Sequence, residues 1–281
     1  MHARTLPELR QLALQALELP EPAHKLAQVH RLQARWRAGA LALDTTATPQ
    51  PAAPLPGRPL RPRLVPQQQV PRRSPFTPAG RAALLHAVAH IEFNAVNLAL
   101  DACWRFAGMP GAYYADWLGV ADEEAQHFGL LSDHLATLGH AYGDFDAHDG
   151  LWAMTERTAG DITARMALVP RTLEARGLDA TPPMQARLAR AGDARAVEIL
   201  DRILHDEVGH VAIGNHWYRW LCARDGRDAL AHYAVLARRY GAPVLRGPFN
   251  IEARRRAGFT AAELRALSEA DALRTPPTGP P

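Results

Sequence analysis

Apolar residues recur every three or four positions through most of this chain, the spacing of amphipathic helices. Leu6, Leu9, Leu12, Ala13, Ala16 and Leu17 make one such face, and Leu26, Val29, Leu32 and Trp36 make another. Residues 5–37 therefore read as helix, broken where Pro20 and Pro22 remove backbone donors. Longer helices are expected at 79–107, 112–139, 151–176 and 194–222. Gly177 reads as the stop of the third, and Thr181-Pro182-Pro183 as the start of a separate short helix to Arg190. A fifth helix is expected at 223–242, with Leu230, Tyr233, Ala234 and Ala237 on one side, and an amphipathic stretch at 260–270. Thr275 to Pro281 should be disordered.

The pattern divides the chain into four parts. Residues 1–44 are a helical segment that packs on the rest of the fold or on a second subunit, which leaves a homodimer open. Residues 45–78 are different in kind, because ten of the 23 prolines fall between Pro49 and Pro78. No acidic residue occurs from Thr45 to Ile91, while Arg58, Arg61, Arg63, Arg72 and Arg73 are basic. Such a segment is extended and polyproline-like. It is either a strap laid over the fold or a basic arm for a polyanion, and Leu60, Leu64, Val65 and Val70 favour the strap. Residues 79–222 make an all-α four-helix bundle, and 223–281 a C-terminal helix and tail. In the tail, Asn250, Glu252 and Arg254 either cap the bundle or close a site.

Acidic residues interrupt the apolar stripes where a core belongs. Glu92 lies in a stripe of Leu85, Val88, Ala95, Ala99 and Phe106, and Glu124 in one of Trp117, Val120, His127, Leu131 and Leu138. Glu207 lies in a stripe of Leu200, Ile203, His210, Gly214, Trp217 and Leu221. Two of these acids begin a Glu-x-x-His, Glu124 with His127 and Glu207 with His210, and residues three apart share a helix face. A lone Glu precedes each motif at a matched distance: Glu92 to Glu124 is 32 residues, and Glu174 to Glu207 is 33. Glu174 rests on that spacing alone, with Glu156 and Asp161 as rivals on the same helix and Pro170 one turn away.

Buried carboxylates without a cation would take up protons. Four Glu carry the charge that two divalent ions cancel, and two His complete a ligand set suited to iron or manganese. The expected metal ligands are Glu92, Glu124, His127, Glu174, Glu207 and His210, holding two iron ions, with manganese as the alternative. Glu123 and Asp206, one residue before each motif, are candidate outer partners for the ligating His rings, or solvated charges. Ala95, Ala99 and Gly214 would leave room beside the metals. Tyr113, Trp117 and His134 share the ligand face, either as an aromatic core layer or as a channel. His86 and His90 read as packing or hydrogen-bonding histidines. The link 140–150 holds His140, Asp144, Asp146, His148 and Asp149, read as turn chemistry in preference to a second metal cluster.

On these motifs the chain resembles the ferritin-like superfamily. Within it the chain is similar to a bacterial family of unassigned function, through His86-Ala-Val-Ala-His-Ile-Glu92, Gly143-Asp-Phe-Asp-Ala-His-Asp-Gly-Leu-Trp152 and Met166-Ala-Leu-Val-Pro-Arg-Thr-Leu-Glu-Ala-Arg-Gly-Leu-Asp179. The likeness runs from about residue 50 to the 260s and implies a four-helix bundle with a di-iron centre. A more distant likeness, in ligand order alone, is to the di-iron tRNA hydroxylases.

The expected function is therefore an oxygen-activating di-iron oxidoreductase, a hydroxylase on a small-molecule or nucleic-acid substrate, with tRNA modification as one variant. A ferroxidase or metal-storage protein and a non-catalytic interaction bundle are the alternatives. Nothing reads as a nucleotide- or flavin-binding loop, so electrons would come from an external donor. Net charge is +3, too small to argue for nucleic acid by itself. Two cysteines, Cys103 and Cys222, fit a reduced cytoplasmic protein. Arg4, Glu8 and Arg10 interrupt any leader, and no run approaches 18 consecutive apolar residues, so no membrane association is expected.

Overall fold

The structure is a computed structural model and describes residues 6–71 and 73–273. Arg72 and the tail from Thr275, expected to be disordered, lie outside the described residues. Among those described, the chain is all-helical, with isolated bridges at Glu8–Ala42 and Leu64–Ala147 in place of strands. It forms two compact units. Residues up to Ala153, with Leu188–Ile199, make the first, and Met154–Arg187 with the chain from Leu200 onward make the second.

The first unit is built on a helical hairpin. α3 (Pro78–Arg105) starts where the Thr77 hydroxyl accepts the Gly80 N–H at 3.1 Å, with Pro78 at the first helical position. A turn through Gly108, at φ +76°, leads into α4 (Gly111–Thr137), and the two helices pack along their length. α1 (Leu9–Glu18) packs on α3, and α2 (Pro22–Arg37) packs on α4. Arg10 docks the first of these contacts. Its buried guanidinium donates to the Trp104 carbonyl at 2.7 Å, one of the carbonyls left over at the end of α3. By length and composition α3 alone among the described helices could cross a bilayer, but 78% of its apolar window is buried in the fold. That burial makes it a core helix.

The Pro-rich segment is a strap. Gly57 donates to Leu17 O at 2.9 Å, and the buried Lys25 ammonium reaches Gly57 O at 3.0 Å, Leu17 O at 3.2 Å and Asn97 Oδ1. Further along, Arg58 pairs with Asp149 at 2.7 Å and Arg63 with Asp146 at 2.5 Å. The expected anchors are corrected here. Leu60 is fully exposed and Leu64 is exposed, whereas Pro56 and Pro62 are buried. Proline rings and ion pairs hold the strap down. The acids of the 140–150 link are thereby accounted for, since Asp146 and Asp149 take strap arginines and Asp144 accepts the Ala141 N–H. His86 and His90 are hydrogen-bonded beneath the same link. His86 Nε2 accepts the Gly143 N–H at 2.9 Å, and His90 Nδ1 lies 2.9 Å from the Tyr142 hydroxyl.

The expected third helix is not one helix. α5 (Gly150–Arg157) and α6 (Ile162–Leu168) are separate, and a π-helical turn, Val169–Glu174, follows α6. α7 (Ala175–Arg190) then runs without interruption past Gly177 and through Pro182 and Pro183. Neither the stop nor the restart expected there occurs. Proline removes a helix donor but does not end a helix whose freed carbonyl finds another partner. Leu178 O, four residues before Pro182, accepts the Asn250 amide at 3.2 Å instead. α8 (Ala194–Arg224) carries the second Glu-x-x-His. α9 (Ala229–Arg239) is shorter than expected and is buried at Leu236, while Leu230 and Ala234 are exposed. α10 (Ile251–Arg256) and α11 (Ala261–Ala272) close the second unit. Its core includes Ala175, Leu178, Val208, Val211, Ala253, Ala257 and Phe259.

Candidate metal centre

All six expected ligands are buried, with exposures from 0% for His127 to 9% for Glu174. They divide three and three between the units. In the first, Glu92 comes from α3 and Glu124 and His127 from α4, so the helical hairpin sets their spacing. His127 Nδ1 lies 3.1 Å from Glu92 Oε2 and 3.3 Å from Glu124 Oε2. One ligand atom of each residue lies within 4.8 Å of the others. A metal bound at about 2.1 Å by each donor holds neighbouring donors about 3 Å apart. His127 Nδ1 therefore already lies about as far from each carboxylate as a shared metal ion would hold it, and this buried carboxylate–histidine group could hold one.

The electrostatics agree. Burial and the charge of Glu124 push the Glu92 carboxyl well above the usual carboxylate range. Burial disfavours the His127 cation, but hydrogen bonds to Glu124 and Glu92 and their charges outweigh it and hold its pKa up at about 11. Without a metal, protons neutralise this cluster, and a bound cation would have to displace them.

In the second unit, Glu207 and His210 share one face of α8, with His210 Nδ1 3.4 Å from Glu207 Oε2. Gly177 of α7 lies against Glu207, and a Cβ there would meet its Oε1 at 3.7 Å. Glu174 is three residues before Gly177, so it is on the same side of its helix. Of the rivals, Glu156 is exposed, and Asp161 caps α6 at Ala164 N, 2.9 Å, and accepts from the Tyr240 hydroxyl. Glu123 is exposed, and Asp206 is 3.6 Å from Arg202 Nε.

Gly214 leaves no room beside a metal, because Pro170 fills its space. Tyr113 and Trp117 are buried edge to face in the core of the first unit, as an aromatic core layer would be, and His134 bonds Asp193 at 2.9 Å. The sequence reading missed the residues around the π turn, Arg171 with Asn215 and Glu263, all buried, the latter two each accepting from Arg171. An arginine three residues before Glu174 was the one available signal.

Residues 18–265 match a family described as "Protein of unknown function (DUF455)". An uncharacterized protein of Haemophilus influenzae is 53% identical over 220 residues, 76% of either chain. No solved structure matches. With a match that spans most of its length and a relative this similar, the chain belongs to the family of unknown function DUF455.

Proposed function

We propose that this chain is a ferritin-like di-metal carboxylate protein that uses two iron ions, with manganese as the alternative, to oxidise a substrate with O2. The observation that carries the reading is the buried Glu92–Glu124–His127 group, with donor separations suited to a metal. The repeat of the same residue order at Glu174, Glu207 and His210 extends it to a second ion. Glu92, Glu124 and His127 would hold one metal, and Glu174, Glu207 and His210 would complete the pair within a bundle spanning residues 79–222. When bound, such a centre supplies oxygen reduction and oxidation of a nearby C–H bond.

The chain's own part is to hold anionic and neutral donors in place, to keep water from them by burial, and to release protons as metal binds. Electrons come from an external donor, and the setting is cytoplasmic. The substrate is a small molecule or a nucleic acid, with tRNA as one candidate.

The test is elemental analysis of protein purified without chelators, beside a Glu124→Ala, Glu207→Ala variant. About two iron or manganese per chain, lost in the variant, is the expected result. Little metal, with the variant equally well folded, overturns the reading in favour of a non-catalytic interaction bundle. A hollow multi-subunit shell on gel filtration moves it to iron oxidation or storage.

A further inference from the structure

We propose that Arg171 and Glu263 are positioning residues for Glu174, and that the C-terminal extension exists to fix the π turn on which that ligand sits. The inference rests on Glu174 being a metal ligand, as argued above.

The turn Val169–Glu174 takes in one residue more than an α-helical turn. An extra residue rotates everything that follows by about 100° about the helix axis. The face on which Glu174 emerges therefore depends on whether the π turn is kept. Pro170 has no N–H to give and favours a break, but it does not dictate where the chain resumes. Three consecutive side chains settle that. Pro170 occupies the space left by Gly214 of α8. The Thr172 hydroxyl donates to Ala167 O at 2.8 Å and lies 2.9 Å from the Tyr233 hydroxyl of α9.

Between these two stands Arg171. Its guanidinium, 4% exposed, donates to Asn215 Oδ1 of α8 at 2.6 Å and to Glu263 Oε1 of α11 at 2.8 Å. Tyr218, Tyr233 and Phe259 present their rings to it at 5.0, 5.3 and 4.8 Å. Glu263 is itself fixed, because Oε2 accepts from the Thr260 N–H at 2.7 Å and from Arg219 at 3.0 Å. On the other side of Glu174, Arg254 of α10 donates to Ala175 O at 3.2 Å and pairs with Asp179. The tail thus grips the helix three residues before the ligand and one residue after it. A tail serving only to cover apolar surface would not need a buried, fully oriented arginine at this turn.

The test uses the full chain with Mn2+, read by the EPR signal of free ion and by metal per chain after gel filtration. Glu263→Gln keeps the size of the side chain and removes its charge. One of the two Mn2+ should bind about tenfold more weakly, the low end of the loss seen when the groups that orient a ligand are disturbed. Glu174→Ala should show the same selective loss. Adding Glu263→Gln to it should weaken binding no further, because the two act through one group. Arg171→Lys keeps the charge without the planar fork, and should reproduce the effect if Glu263→Gln does not fold. Two Mn2+ bound with unchanged affinity in the folded variants would overturn the proposal and leave the tail a structural element. Full metal in Glu174→Ala, with metal lost in Glu124→Ala, Glu207→Ala, would also overturn it while the site itself stood. Full metal in that last variant would overturn both.

Discussion

Gly214 of α8 faces Pro170 so closely that a Cβ at position 214 would lie 2.6 Å from the proline Cβ. No side chain fits there without moving the π turn. Gly214→Ala should therefore destabilise the protein by about 1–3 kcal/mol, the usual range for overpacking. Gly209 is its control on the same helix, since it is exposed and a Cβ there meets nothing within 4 Å. Gly209→Ala should stabilise by about 0.5–1 kcal/mol through helix propensity alone. Urea melts of the two variants check both signs.

These two glycines also mark how much of the molecule could be read from its residues. The α3–α4 hairpin was legible almost to the residue, because apolar periodicity, Thr77-Pro78 and Gly108 all act locally. Glu92, Glu124 and His127 were legible as a group for the same reason, a fixed spacing across one hairpin. Gly177, Gly214 and Pro182 were misread. Each has a strong local meaning as a stop, a gap or a break. In the fold each is governed by a partner far along the chain: Glu207, Pro170 and, through Leu178 O, Asn250. The strap was legible as a strap, but its anchoring was not. Hydrophobic content pointed to Leu60 and Leu64, and the chain uses Arg58, Arg63 and buried prolines.

The metal-free cluster of Glu92, Glu124 and His127 should leave a trace in the pH dependence of stability. Burial and Glu124 raise the Glu92 carboxyl above its unfolded value, so the native state holds a proton that the unfolded chain has given up. Over that window stability falls as pH rises, by at most about 1.4 kcal/mol per pH unit while one proton separates the states. Glu92→Gln removes this group. The stability of the metal-free wild type relative to Glu92→Gln should decline from pH 5 into the neutral range. Urea melts in chelator across that range check it, and a flat difference would show that Glu92 ionises normally.

Lys25 joins the strap to the hairpin, and its loss should be felt on both. Lys25→Met keeps most of the stem but leaves Gly57 O and Asn97 Oδ1 without the ammonium, while Leu17 O keeps the Gly57 N–H. Stranding buried acceptors costs about 1–3 kcal/mol. The Gly57 amide, bonded to Leu17 O at 2.9 Å, should exchange faster by hydrogen–deuterium exchange than in the wild type. Exchange within α4 should change only by the global loss. An unchanged Gly57 amide would mean that the buried prolines suffice to seat the strap.

Asn250 and Pro182 offer the sharpest test of how the tail supports α7. Pro182 cannot donate to Leu178 O, and the Asn250 amide does so at 3.2 Å. Asn250 also caps α10 by accepting the Ala253 N–H at 3.1 Å, a role that serine fills equally well. Asn250→Ser should therefore keep the cap and lose only the donor to Leu178 O, costing about 1–3 kcal/mol for a buried carbonyl left unpaired. Pro182→Ala restores a backbone N–H one turn below that carbonyl. In the Pro182→Ala background the cost of Asn250→Ser should shrink, because Leu178 O then has a helical partner. A double-mutant cycle by urea denaturation should give a coupling of about 0.5–3 kcal/mol between the two positions. Strict additivity would mean that Leu178 O finds water, and that the tail holds α7 through Arg254 and Asp179 alone.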